Sequence, residues 1–245
     1  AVPRRTVLED GKEAVFNENE VQEISCYYIQ DKFGYCKLMD EATYQRNQEA
    51  VESDNRFVLK CKNTDRVLLF TDKGNMHQIK CQDVPLGKFK DKGVPIDNIS
   101  KYNANQEEII YVNVKSALAG KTLIFATRDA MVKLVETSEF ETANKLVAAT
   151  KLGEGDRLIE IREMAYETDI VFETHDGYFL RCSLSDIPLQ KKNSKGVIGI
   201  RLGKCDTLEH FYLLGTEPVE ITYRKKPLSL NRLKLAGRAG KGTKH

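Results

Sequence analysis

The chain of 245 residues contains no tryptophan, and so none of the W-D dipeptides that mark a WD40 propeller. It has no C-x-x-C pair. Its six cysteines, Cys26, Cys36, Cys61, Cys81, Cys182 and Cys205, fall at irregular spacings. That argues against a zinc ribbon and against a thioredoxin-type redox site. Cys26, Cys36, Cys61, Cys81 and Cys182 sit within or beside apolar or alternating segments, which suits reduced, buried, inert thiols. The four histidines, His77, His175, His210 and His245, form no H-x-x-x-H pair, so a metal site is not expected. No apolar run approaches the roughly 20 residues that cross a bilayer. The opening AVPRRTVLED lacks the apolar stretch of a secretory signal. A cytoplasmic protein without membrane association is the expectation.

What is present fits a globular chain, with 41% hydrophobic and 30% charged residues. The net charge of +2 conceals an asymmetry. It is −4 over residues 1–60, +2 over 61–120, −5 over 121–180 and +9 over 181–245. A basic quarter of that size suits a polyanionic partner.

The chain repeats itself. VLLFTDKGNMHQIKCQDVP (67–85), TLIFATRDAMVKLVETSEF (122–140) and DIVFETHDGYFLRCSLSDIP (169–188) each open with an apolar run that reaches Phe70, Phe125 or Phe172. Each then makes a short polar turn and continues as an alternating strand, the pattern of a β-hairpin. Ala130 stands where the other turns have Gly74 and Gly177, so that turn must differ or carry strain. ISCYYIQDKFGYCKLMDEATY (24–44) is a looser first copy, and VEITYRKKPLSLNRLKLAG (219–237) a divergent last one. Further strands follow each hairpin, for instance EEIIYVNV, RLIEIREM and TLEHFYLL. Four short strands per repeat of about 45 residues predict blades arranged radially, an all-β propeller-like fold of about five four-stranded blades. DEATYQRNQEAVESDN (40–55) reads as a short helical or irregular excursion, and no other helix is expected. Phe70, Phe125 and Phe172 are expected at equivalent buried positions.

A basic loop recurs with the repeats: GKFKDKG (87–93), QKKNSKG (190–196) and AGRAGKG (236–242), each ending in Lys-Gly. Duplex DNA carries one phosphate charge per roughly 1.7 Å of axis. Lysines placed on one rim of a disc could follow that line of charge.

These repeats resemble the blades of the C-terminal domain of the A subunit of bacterial type IIA topoisomerases, DNA gyrase and topoisomerase IV. LLFTDKGNMHQIKCQDVP and GVIGIRL are the stretches most alike, and PRRT (3–6) resembles the junction that follows the catalytic core. The resemblance covers about residues 23 to 242. It implies a β-pinwheel over 23–245, with strands exchanged between blades and DNA bent around a basic rim. Residues 1–22 would be a linker from the catalytic core. It also implies that the nucleophile and the magnesium site lie outside this stretch, since no tyrosine here has the strand-cleaving context. Tyr27, Tyr28, Tyr111 and Tyr223 fit packing or rim positions. The domain itself would hold no cofactor, with ATP and magnesium needed only by the intact enzyme. Its partners would be double-stranded DNA, the ATPase subunit, and the catalytic core of its own subunit.

Gyrase-type domains carry a box of pattern Q-[RK]-R-G-G-[RK]-G. Here Gln190, Lys191, Lys192, Lys195 and Gly196 sit at matching or similar positions, with Asn193 and Ser194 in place of the central glycines. The last repeat keeps Arg238, Gly240, Lys241 and Gly242 but has Ala236 for Gln. The degenerate box favours relaxation and decatenation over supercoiling, as in a topoisomerase IV-type subunit. The residues expected on DNA are Lys88, Lys90, Lys92, Gln190, Lys191, Lys192, Lys195, Arg238 and Lys241 from the recurring loop. Arg201, Lys204, Arg224, Lys225, Arg232 and Lys234 join them from the basic quarter. The acidic third repeat, with Glu136, Glu139 and Glu141, is expected to face another domain or interrupt the path. Two other classes remain open at this level. A protein-interaction propeller would show an apolar or acidic face and no salt-sensitive DNA affinity. An enzyme built on a cysteine or carboxylate pair would need a nucleophile–base motif, and none is recognisable.

Overall fold

The computed structural model describes residues 21–245, so most of the expected 1–22 lead-in and the PRRT junction lie outside the described residues. Five hairpins form where the repeats place them. They pair β1 (Ser25–Gln30) with β2 (Tyr35–Asp40), β4 (Arg66–Thr71) with β5 (Asn75–Lys80), and β8 (Thr122–Thr127) with β9 (Met131–Glu136). The last two pair β12 (Asp169–Thr174) with β13 (Tyr178–Ser183), and β16 (Glu220–Tyr223) with β17 (Lys226–Ser229). Gly34, Gly74 and Gly177 close their turns with φ of +86°, +75° and +88°, and Ala130 does the same work at +63°. An L-residue there carries about 1 kcal/mol of strain that glycine avoids.

Each of the first four hairpins gains a strand on both sides. On one side lie β3 (Phe57–Lys62), β7 (Ile109–Val114), β11 (Leu158–Met164) and β15 (Leu208–Leu214). On the other lie β6 (Val94–Pro95), β10 (Leu146–Ala148), β14 (Val197–Ile198) and β18 (Thr243–Lys244). The sheet orders are β3-β1-β2-β6, β7-β4-β5-β10, β11-β8-β9-β14 and β15-β12-β13-β18. β6 therefore reaches blade 1 only after the chain has built the hairpin of blade 2, and every later blade is completed the same way. β3 touches β7, β7 touches β11 and β11 touches β15. These strands line the hub, and the short strands lie on the outer edge. No comparable contact joins β15 back to β3 among the described residues. Among the described residues the pinwheel thus has four complete blades in a row that no such contact closes. The fifth repeat contributes a hairpin without flanking strands among the described residues.

The core lies between blades. VLLF is apolar throughout because both faces of β4 are covered. Val67 and Leu69 pack towards blade 1 with Cys26, Tyr28 and Leu38. Leu68 and Phe70 pack towards blade 3 with Leu123, Phe125 and Phe140. Phe70 meets Phe125 edge-on at 6.0 Å between ring centres. Phe70, Phe125 and Phe172 are all buried, but the expected equivalence fails for Phe70. Phe125 and Phe172 lie two residues before the strand-ending Thr127 and Thr174, whereas Phe70 lies one before Thr71. A shift of one residue turns a side chain to the opposite face.

An open row leaves two faces to cover. On blade 1 the excursion is the 14-residue helix α1 (Glu41–Asp54), interrupted at Asn47. Its N-cap Asp40 accepts from the Thr43 N–H at 2.8 Å. Tyr44 and Val51 seal Ile29 and Met39, and the Tyr44 ring stacks on Tyr27 at 3.7 Å. On blade 4 the fifth hairpin brings Ile221 and Leu228 against Val171, Phe179 and Leu214. A single turn, α2 (Lys115–Leu118), precedes β8. No helix among the described residues is long and apolar enough to cross a membrane.

Five thiols are buried and Cys205 alone is exposed. Burial pushes the Cys36 thiol up to about 11 and the Cys182 thiol up to about 12. A thiolate-selective reagent at pH 8 should therefore titrate one fast equivalent in the folded chain, and the other five only on unfolding in guanidinium. Several fast equivalents would contradict this packing.

Candidate nucleic-acid interface

After the second strand of every hairpin but the first, the chain makes a 3-10 turn, at Cys81–Asp83, Thr137–Phe140, Leu184–Asp186 and Leu230–Arg232. It then runs along the blade edge to the outer strand. Val94, Val147, Val197 and Thr243 stand in the four outer strands at one register, opposite Cys36, Met76, Val132 and Phe179. Three of the intervening loops have the same length, from Val84, Ile187 and Leu233. The loop from Phe140 is three residues shorter, and it alone lacks Lys-Gly. The three basic loops are therefore structural equivalents on the outer edges of blades 1, 3 and 4, and blade 2 has none.

The glycine of Lys-Gly has a steric cause. Gly93, Gly196 and Gly242 have φ of +83°, +86° and +76°. A Cβ on Gly196 would fall 2.7 Å from the Val132 carbonyl oxygen, and on Gly93 and Gly242 closer still to those of Cys36 and Phe179. No side chain fits where the loop presses on the hairpin backbone. The preceding lysine rests on the first residue of that hairpin strand where it is aromatic. Lys92 Nζ lies 4.1 Å from the Tyr35 ring centre and Lys241 Nζ 5.2 Å from that of Tyr178.

Two loops close over a buried ammonium. Lys133, 1% exposed, donates to the carbonyl oxygens of Lys191, Lys192 and Ser194 at 3.1, 3.2 and 2.8 Å. Lys37 donates to those of Lys88, Phe89 and Asp91 at 2.9, 3.0 and 2.6 Å. Burial pushes the Lys133 amine down to about 8 against the pull of Glu139. Burial also lowers Lys37, opposed by Asp91 and Asp31. In blade 2 the same position is His77, paired with the Glu107 carboxylate. In blade 4 it is Leu180. There the next residue, Arg181, holds the loop base through the carbonyls of Asn231 and Leu233 at 2.7 and 3.2 Å. Sequence reading missed these buried donors. The available signal was a lysine three residues after the turn, at Lys37 and Lys133, within an apolar strand.

Most residues expected on DNA are exposed: Lys88, Lys90, Lys92, Lys191, Lys195, Arg201, Lys204, Arg224, Lys225, Arg232, Lys234, Arg238 and Lys241. Two differ. Gln190 is half-buried, with its amide oxygen enclosed, and belongs to the base of the loop. Lys192 is tied to the acidic third repeat, its N–H donating to the Glu139 carboxylate at 3.1 Å and its Nζ to the Glu139 carbonyl at 3.0 Å. Glu141 pairs with Lys115 at 2.8 Å. The loop of blade 4 is bonded to the chain leaving β14, through Ala239 N–H to Gly199 O and Arg201 N–H to Gly240 O, both 2.8 Å. Arg201 thereby joins Arg238 and Lys241. The same position one blade earlier is Lys151, exposed, with its N–H donating to Ser194 O at 3.3 Å. Lys151 was absent from the sequence-based set because no motif surrounds it. Arg224 and Lys225 form the tip of the fifth hairpin, both at positive φ. Arg232 and Lys234 sit beyond that hairpin, and Lys204 lies in the connection to β15.

The family model for the DNA gyrase C-terminal domain, beta-propeller, matches residues 65–114, 121–162 and 168–214. The chain belongs to that family. Each matched segment runs from a hairpin to its hub strand, so the three segments are the repeats that supply the hairpins and hub strands of blades 2, 3 and 4 and the outer strands of blades 1, 2 and 3. The A subunit of DNA gyrase from Lawsonia intracellularis is 28% identical over 98% of this chain and 32% of its own length. The A subunit of DNA topoisomerase 4 from Streptococcus pneumoniae is 26% identical over 99% of this chain and 31% of its own. The chain thus spans about a third of these relatives. The C-terminal domain of DNA topoisomerase IV superposes with a TM-score of 0.80 at 22% identity, over 91% of this chain and 73% of that one. The E. coli ParC C-terminal domain gives 0.73 at 16%, over 91% and 94%.

Two measurements follow from the loop geometry. Gly93→Ala should cost at least about 2 kcal/mol in urea unfolding, from backbone collision and left-handed strain. Gly203→Ala, with open space around it, should be neutral to within about 0.5 kcal/mol. The second concerns Lys133. A base depressed in the folded state contributes stability present above its unfolded value and lost as pH falls through its folded value. Relative to Lys133→Met, wild type should gain stability as pH rises from about 8 to 10.5. A flat difference across that window would contradict the burial of a titrating ammonium.

Proposed function

We propose that residues 23–245 form a sequence-independent DNA-binding and DNA-bending domain of a type IIA topoisomerase A subunit. The observation that carries this reading is the equivalence of the three Lys-Gly loops. They stand at one register on the outer edges of blades 1, 3 and 4, with their lysines exposed. Phosphate contacts of this kind position a duplex without reading its bases. Lys88, Lys90 and Lys92 would hold it at blade 1, Lys191 and Lys195 at blade 3, and Arg201, Arg238 and Lys241 at blade 4. Lys204, Arg224, Lys225, Arg232 and Lys234 would extend the path. Gln190 and Lys192 would shape the loop rather than meet the phosphates.

In the intact enzyme the domain would follow the catalytic core through residues 1–22 and present DNA to it for strand passage. ATP and magnesium would be handled by that core and the ATPase subunit. The degenerate box supports relaxation and decatenation over supercoiling. Ser194 occupies a central glycine position, and its hydroxyl donates to Lys191 O at 2.8 Å, which restrains a segment that glycines would leave mobile.

The test is DNA affinity across a salt series for wild type and the Lys191→Ala, Lys192→Ala, Lys195→Ala variant. With Lys192 held by Glu139, two phosphate contacts are lost, and the slope of log affinity against log salt should become shallower by about 1.8. Binding to unrelated duplexes should weaken equally, and end-to-end fluorescence transfer on a short duplex should report less bending. An unchanged slope would move the DNA path to another face.

A further inference from the structure

We infer that Lys133 and Lys37 are positioning residues: their buried ammonium groups hold the two glycine-poor basic loops in the shape that presents their lysines to DNA. This rests on the proposed function, and it concerns residues that cannot touch DNA themselves.

The geometry is repeated in detail. Lys191, Lys192 and Ser194 stand five, four and two residues before Gly196, and Lys88, Phe89 and Asp91 stand at the same distances before Gly93. In both loops those three carbonyls converge on one ammonium from the hairpin beneath. Carbonyl oxygens carry the negative end of the peptide dipole and would repel a phosphate. Turned inward onto a cation, they leave the outer surface of the loop to side chains such as Lys191, Lys195, Lys88 and Lys90, all exposed. A buried charge is tolerated because all three ammonium protons have acceptors.

The third long loop shows what replaces the cation. There the corresponding residues are Gly237, Arg238 and Gly240, and the position beneath is Leu180. The Leu180 methyls lie 3.6 and 3.9 Å from where a Cβ of Gly240 would be, and the Gly240 carbonyl is taken by the Arg201 N–H at 2.8 Å. A glycine-rich loop folds over leucine. The loops without those glycines fold over lysine, which supplies a fixed set of bonds where backbone freedom is missing.

Leucine at this position in blade 4 makes Lys133→Leu a conservative test, with Lys133→Met beside it to preserve the stem against Phe125. Thermal unfolding first establishes that each variant folds. The readout is the salt dependence of binding to a short random-sequence duplex. Both variants should lose roughly tenfold in affinity near 0.1 M salt, with a slope shallower by about 1, although Lys133 is not on the surface. The decisive arm places Lys133→Leu in the background of the triple-alanine loop. Positioning through the loop predicts no further loss there, whereas general destabilisation or a long-range charge effect would weaken binding in both backgrounds. Wild-type affinity and slope in both folded Lys133 variants would overturn the inference, and so would an equal loss in the two backgrounds. The proposed function would stand in either case if the triple-alanine variant alone had flattened the slope. It would fail if that variant bound as wild type.

Discussion

The structure depends on one act of pairing: the outer edge of each blade is completed by a strand that belongs to the next repeat. A free sheet edge is a row of unpaired N–H and C=O groups and a site for adventitious pairing. Here β6, β10, β14 and β18 close it with two or three residues each. Such short strands give little pairing energy alone. They are reinforced by hydrogen bonds from the residues that follow to the hairpin turns, Ile96 N–H to Gly34 O, Ala149 to Gly74, Gly199 to Ala130 and His245 to Gly177. The basic loop links the hairpin of one blade to the outer strand of the blade before it, so it cannot be moved without disturbing two blades.

That constraint explains why the basic loops carry structural and electrostatic demands together. Each must reach backwards across a blade, press a glycine onto a neighbouring carbonyl and still leave cations outside. Three solutions appear along the row. Blades 1 and 3 place an ammonium under the loop, and blade 4 uses glycines over leucine with Arg181 at the base. Blade 2 shortens the loop and ties its base with Gln78, whose amide donates to Thr142 O and Asn144 O at 3.0 and 3.2 Å. The short loop coincides with the acidic third repeat, and Glu139 there is committed to Lys192 on the adjoining loop. The acidic interruption in the charge pattern is thus partly a brace for its basic neighbour.

An open row needs ends. In repeat architectures the terminal units must present a face unlike the internal ones. Blade 1 is closed by an inserted helix and blade 4 by a hairpin with no blade of its own. α1 carries Tyr44 and Val51 as its buried residues, enough to cover Ile29 and Met39 while the rest of the helix stays polar.

The blades were legible in the sequence. Apolar alternation, turn glycines and a period near 45 residues are local properties, readable in VLLFTDKGN or DIVFETHDG without knowledge of neighbours. The recurrence of Lys-Gly located the loops for the same reason. The register of Phe70 was not legible, because a one-residue offset leaves composition and spacing almost unchanged while reversing the face. Nor could the sequence separate Lys191 from Lys133 or Lys192. All three are lysines in basic or alternating stretches, and what distinguishes them is whether backbone carbonyls lie within about 3 Å of the ammonium, as they do for Lys133 and Lys192, or the side chain is exposed, as it is for Lys191. That distinction arises only on folding. The partners come from an adjacent repeat, the following one for Lys133 and the preceding one for Lys192, more than 50 residues away in the chain, and strand exchange brings them into contact.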